Sequence, residues 1–333
     1  MMKFTLETPK AVIDAKKSQK GLNWALELLI FFAVFIVVTF GQLIVLLPAE
    51  LVMLFTNKNY LLAMQTNDMD LASQASMEII NSNAYTITML FANGAMILLT
   101  MLFCKLIQKR KMTTLGFVKK GMLKEYGLGL IVGFVIFSLA VLFCVVTGSL
   151  KLSGISSTFA VLPFIMFFAG FMIQGMAEEV LCRGYLMVSI GRRYPMWLAV
   201  LLNSLFFAAL HLGNAGISVL AFINLTLFGI FASVYFIKRG SLWGIGAIHS
   251  IWNFVQGNFY GIKVSGMETS CTVFESLVVD GKTVINGGDF GLEGGLAVTL
   301  VLVIGTVILL LSPAKYKAET EEIPMAQETV ATE

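Results

Sequence analysis

Two adjacent carboxylates, Glu178 and Glu179, sit in the stretch Gly175-Met-Ala-Glu-Glu-Val-Leu-Cys-Arg-Gly-Tyr-Leu186, and residues 158–174 just before it carry no charge. An ionised side chain near a bilayer centre costs at least ~2.5–3.5 kcal/mol, so such groups face a protein interior, find a partner or do chemistry. At about 100° per helical residue, Glu179 and Arg183 are one turn apart and are expected to pair. Glu178 then points about 140° away from Arg183 and is free to face something else. The chain has two histidines, His211 and His249, and both fall in apolar runs. Asn253 follows His249 at i+4 and shares its face. A carboxylate, two imidazoles and an amide on different helices of one bundle could converge to build one polar site. For either histidine alone, a hydrogen bond to a neighbouring helix is an equally good reading. Gln174, Asn203, Asn224, Gln256 and Asn258 read as interhelical hydrogen-bonders, and Gly170, Gly175, Gly244 and Gly246 as close-packing points. Glu27 is placed to reach the headgroups.

The chain that positions these groups has 333 residues, 57% hydrophobic and 13% charged. Its mean hydropathy is +0.85. A soluble domain carries about 25% charged residues, so this composition belongs to a polytopic membrane protein. The net charge of +3 and the lack of a basic, aromatic-interleaved stripe point away from nucleic acid. Cys104, Cys144, Cys182 and Cys271 have no CxxC spacing, so neither a disulfide nor a thiolate zinc site is expected. Apolar runs of about 20 residues, each long enough to span, occur near 22–47, 83–107, 126–147, 158–190, 196–212, 215–237, 240–259 and 291–312. The expected fold is an all-α transmembrane bundle of about eight spans. Of the 23 Lys and Arg residues, only Lys58, Lys151, Lys263 and Lys282 lie on one set of helix ends, which puts both termini in the cytoplasm. Counted up from the cytoplasmic ends, Glu178, His211, His249 and Asn253 stand at about 20, 24, 15 and 21 Å, close enough in depth to form one site.

The chain divides into a cytoplasmic segment 1–21, three transmembrane helices and their loops within 22–157, and a catalytic core of four spans at 158–259. A non-cytoplasmic loop at 260–290, a last helix at 291–312 and a disordered tail at 313–333 complete it. In the loop, two β-prone runs flank Asp280-Gly281, a dipeptide that favours a hairpin turn. The other long non-cytoplasmic segment, 48–82, suggests no chemistry.

Glu178-Glu179-x-x-x-Arg183, Phe207-x-x-x-His211 and His249-x-x-x-Asn253, in that order on successive apolar segments, resemble the motifs of the CPBP family of intramembrane proteases. That family includes type II CAAX prenyl endopeptidases and bacteriocin-processing and immunity proteins. The resemblance covers residues 175–258, and Gly287-Gly-Asp-Phe-Gly-Leu-Glu-Gly294 is similar to a segment before the last helix of some bacterial members. It implies an intramembrane endopeptidase with Glu178, His211, His249 and Asn253 as catalytic residues and Glu179, Arg183 and Phe207 in support. Its substrate would be a peptide or membrane protein, prenylated or otherwise membrane-associated, met within membrane lipid. Two mechanisms stay open. His211, His249 and Glu178 match the ligand set of an open catalytic zinc site, or Glu178 acts as a metal-free base while His249 and Asn253 serve the oxyanion. Two other functions fit the same composition, a non-catalytic immunity or scaffold protein and an ion-coupled transporter, although no repeated halves are found. A multi-pass protein of a bacterial plasma membrane is expected.

Overall fold

In lipid every backbone polar group must be satisfied within the chain, so long apolar runs become helices. The computed structural model describes residues 6–18 and 20–315. A short amphipathic helix α1 (Lys10–Ser18) precedes α2 (Trp24–Thr56), α3 (Lys58–Thr66), α4 (Met69–Ile80) and α5 (Asn83–Leu102), which a π turn extends to Ile107. Then come α6 (Met122–Val146), strand β1 (Leu150–Ile155), α7 (Val161–Glu179), a π segment (Val180–Met187) and α8 (Val188–Gly191). They are followed by α9 (Met196–Ala209), α10 (Val219–Arg239) and α11 (Leu242–Phe254), the last extended by a π turn to Phe259. Strand β2 (Phe274–Val278), α12 (Thr283–Asn286) and α13 (Leu296–Leu311) close the described chain. The expected tail falls largely outside the described residues, from 316 onward.

All eight apolar runs are helical, but only five of the described helices are long and apolar enough to cross a membrane: α2, α5, α6, α7 with its continuation to Gly191, and α10. Helices α9 and α13 are shorter. Helix α11 is wrapped by protein rather than lipid, with every residue buried except Trp243. Protein contact lets it carry His249 and Asn253, with Gln256 and Asn258 in the π turn that follows. α2 lies at the periphery, with 17% of its most apolar window buried against 67% for α10.

Segment 48–82 is mostly helical, because α2 runs on to Thr56 and α3 and α4 follow with Asn57 and Asp68 capping their N-termini. The hairpin expected around Asp280-Gly281 does not form. β2 pairs antiparallel with β1 instead, Leu150 opposite Val278 and Ile155 opposite Phe274. The second β-prone run is taken into α12, where the Asn286 amide donates to the carbonyls of Ser149 and Val279. Glu27 does not reach outward either. It is fully buried and accepts from Arg192 Nη2 at 3.0 Å and from the Leu22 amide, a pairing between segments 165 residues apart that local sequence could not reveal.

Candidate active site

The Glu178-Glu179 pair lies where α7 gives way to the π segment. Within that segment the carbonyls of Gly184 and Tyr185 take hydrogen bonds from the buried Arg110, at 2.9 and 3.5 Å. π segments are uncommon and concentrate at functional sites. One turn earlier, α7 approaches α11 so closely that a Cβ on Gly175 would stand 2.5 Å from the Ser250 backbone nitrogen. This contact brings the two carboxylates up to His249.

The carboxylates divide as their helical angle predicts. Glu179 and Arg183 are both fully buried, and Arg183 Nη1 donates to Glu179 Oε1 at 2.9 Å. The same oxygen lies 2.8 Å from His249 Nδ1. Because a carboxylate only accepts, Nδ1 must carry the proton, and Nε2 is the ring atom left for other work. Glu179 therefore orients a histidine as well as locking its helix, a role that sequence spacing did not suggest. The Arg183 guanidinium lies 4.6 Å from the centre of the Phe207 ring, a cation–π contact that explains the aromatic residue four before His211.

Glu178 is half-buried and faces a cavity of about 400 Å³ that His211, His249, Asn253, Gln174 and Phe207 also line. Its Oε1 accepts from Gln174 Nε2 at 2.5 Å. Among the described residues its Oε2 has no hydrogen-bond partner, and it stands 3.7 Å from His249 Nε2. Since Gln174 must donate to the carboxylate, its own oxygen turns to Asn253 and accepts from Asn253 Nδ2 at 2.9 Å. A chain Asn253–Gln174–Glu178 thus crosses from α11 to α7. Gln174 belongs to the site rather than to general packing, and its i−4 spacing from Glu178 was the available signal. The other amides are structural. Asn203 bonds Ser233 between α9 and α10, while Asn224, Gln256 and Asn258 hold loop carbonyls.

His211 is not within a helix. α9 ends at Ala209, and His211 lies in the turn that follows, with Nδ1 2.8 Å from the Phe207 carbonyl. A carbonyl only accepts, so Nδ1 is protonated and Nε2 is the remaining ring nitrogen. The four expected catalytic residues are therefore brought to one cavity. Among the described residues no three His, Cys, Asp or Glu side chains form a group that could hold an ion, and no step below passes through a metal.

Residues 159–255 match the family model described as type II CAAX prenyl endopeptidase Rce1-like. The matched segment holds all three motifs and supports membership of the CPBP family, a family of membrane proteases. No curated protein and no solved structure matches the chain.

Proposed function

We propose that this chain, a multi-pass membrane protein with an Rce1-like domain at residues 159–255, is an intramembrane endopeptidase in which Glu178 is the general base. The observation that carries this reading is the cavity itself, where a carboxylate oxygen without a hydrogen-bond partner faces two imidazoles and an amide inside an apolar bundle. Glu178 takes a proton from water as the water attacks the peptide carbonyl. Gln174, bonded to Oε1, turns Oε2 toward the reacting atoms. His249, fixed by Glu179 through Nδ1, presents Nε2 to the same space. The proton that Glu178 takes from water passes to His249 Nε2, 3.7 Å away, and the doubly protonated ring donates to the oxyanion and then gives up that proton to the leaving amine. Asn253 keeps one N–H beyond the bond to Gln174 and supplies a second oxyanion donor. His211 presents Nε2 as an acceptor that orients the water. The substrate is a prenylated or otherwise membrane-associated peptide, and the setting is a bacterial plasma membrane.

The test is cleavage of a quenched farnesyl-cysteine peptide and of a quenched hydrophobic peptide library by protein purified in detergent. Glu178→Gln keeps shape and hydrogen bonding but cannot serve as a base, so kcat should fall at least ~100-fold while the protein stays folded. Near-normal turnover by Glu178→Gln would overturn the assignment. So would a wild-type protein that cleaves neither substrate, the outcome expected of an immunity protein or a transporter.

A further inference from the structure

The glycine-rich segment 287–295 ahead of α13 has no part in the reaction as derived, yet its Glu293 lines the catalytic cavity. Glu293 Oε2 accepts from the backbone nitrogen and the hydroxyl of Ser265, each at 2.8 Å, and from Gln256 Nε2 at 3.4 Å. Ser265 and Gly266 form a two-residue turn between Val264 and Met267, whose backbones pair in both directions at 2.8 and 2.9 Å. Both turn residues have positive φ, 47° at Ser265 and 88° at Gly266. Tight hairpins of this kind favour Asn-Gly, Asp-Gly or Gly-Gly at the turn. Glycine meets that demand at no steric cost, but serine does not, so something must hold Ser265 in this conformation. The two hydrogen bonds to Glu293 do so.

The turn leads directly to a catalytic residue. The Ser265 carbonyl accepts from Asn214 Nδ2 at 3.0 Å, and the Asn214 backbone N–H donates to the His211 carbonyl at 3.0 Å. The segments around it interlock through close backbone approach. A Cβ on Gly216 would lie 2.6 Å from the Phe290 nitrogen, and one on Gly266 would strike the Ala215 carbonyl. The Gly266 amide donates to the Phe290 carbonyl at 3.0 Å, and Asn224 holds the Glu293 carbonyl from α10 at 2.8 Å. Gly216 and Gly266, with Gly291 against the Lys263 carbonyl, thus let segment 287–295 lie against its neighbours and deliver one carboxylate to one turn.

We infer that Glu293 is a positioning residue for the reaction: it holds the Ser265–Gly266 turn left-handed, and through the Ser265 carbonyl and Asn214 that turn fixes the loop carrying His211. The inference deepens the protease reading and rests on it for its kinetic consequence, but not for its structural one. Glu293→Ala should lower kcat by about 10–100-fold, as slight misplacement of a catalytic group does, with little change in KM. Adding Ser265→Gly, which adopts positive φ unaided, should recover much of the loss. Recovery by a change that creates no carboxylate separates positioning from any direct role of Glu293 with substrate.

The experiment measures peptide cleavage, as above, together with the nitrogen spectra of histidine-selectively labelled protein in detergent. The chain has only two histidines, and the spectrum of His249→Gln distinguishes them. The expected result is a shifted or broadened His211 signal in Glu293→Ala, an unmoved His249 signal, and return of His211 in the double variant. Glu293→Gln, which keeps an acceptor for the Ser265 amide, should fall between wild type and Glu293→Ala and serves in its place if the alanine variant does not fold. An unchanged His211 signal, or failure of Ser265→Gly to recover it, overturns the inference. Because the spectra need no turnover, an inactive wild type would sink the protease reading and leave this test standing.

Discussion

Replacing Glu179 should damage stability and catalysis by separable routes. Its Oε1 accepts from both Arg183 Nη1 and His249 Nδ1, and glutamate and arginine are fully buried. Among the described residues Arg183 has no second acceptor, since its Nε and Nη2 are without hydrogen-bond partners, and the guanidinium otherwise lies over the face of Phe207. Glu179→Ala therefore leaves a buried guanidinium with nothing to replace its counter-ion, and breaking such a pair costs about 3–5 kcal/mol. Removing the cation as well, in Glu179→Ala/Arg183→Met, should return most of that stability. Activity should not return with it, because His249 has still lost the group that fixes its Nδ1 proton. In the serine-protease triad, disturbing the equivalent tautomer costs about 10⁴ in kcat. Thermal unfolding in detergent reads the first effect and peptide cleavage the second. Wild-type melting of Glu179→Ala would refute the buried-pair argument, and wild-type turnover of the double variant would refute the orienting role.

Two further outcomes follow from the same geometry. Asn253→Ala should lower kcat by about 100–1,000-fold with KM little changed, as for loss of an oxyanion donor; a rise in KM alone would assign Asn253 to substrate binding. Chelators should leave the rate intact and His249→Gln, which retains an N–H, should outperform His249→Ala; about one zinc per chain, lost along with activity in His249→Gln, would show that the histidines hold a metal.

Helix periodicity carried much of this site. The i,i+4 spacing of Glu179 and Arg183 implied their pair, and the 100° offset of Glu178 placed it toward a different neighbour, where the cavity lies. Apolar runs located the helices, but they could not say which helix is sheathed by protein, and α11 is buried by its neighbours along nearly all of its length. What local pattern misses is long-range partnership. Nothing near Glu27 announces Arg192, nothing in 150–155 announces that it will claim β2, and nothing near Glu293 announces Ser265. Gln174 is a different case. Its spacing was legible, and only its resemblance to an ordinary packing amide concealed it.

Counter-ions sort the carboxylates of the bundle in a way that bears on function. A buried carboxylate paired with a cation has its oxygens committed to that partner, so it has little freedom to reorganise. Glu27 has Arg192, Glu125 has Arg239 and Lys315, and Glu179 has Arg183. Glu178 and Glu293 differ, because among the described residues neither forms an ion pair with Lys or Arg, and their hydrogen bonds come from amides, a hydroxyl and a backbone N–H. Both line the cavity proposed as the active site. Neutral donors orient a carboxylate without neutralising it, which suits a base at one end of the cavity and a tether for the histidine turn at the other. The helices spend their arginines on holding the frame and leave the cavity's own acids to neutral partners; a lysine or arginine introduced beside Glu178 would therefore be expected to silence the base while leaving the frame intact.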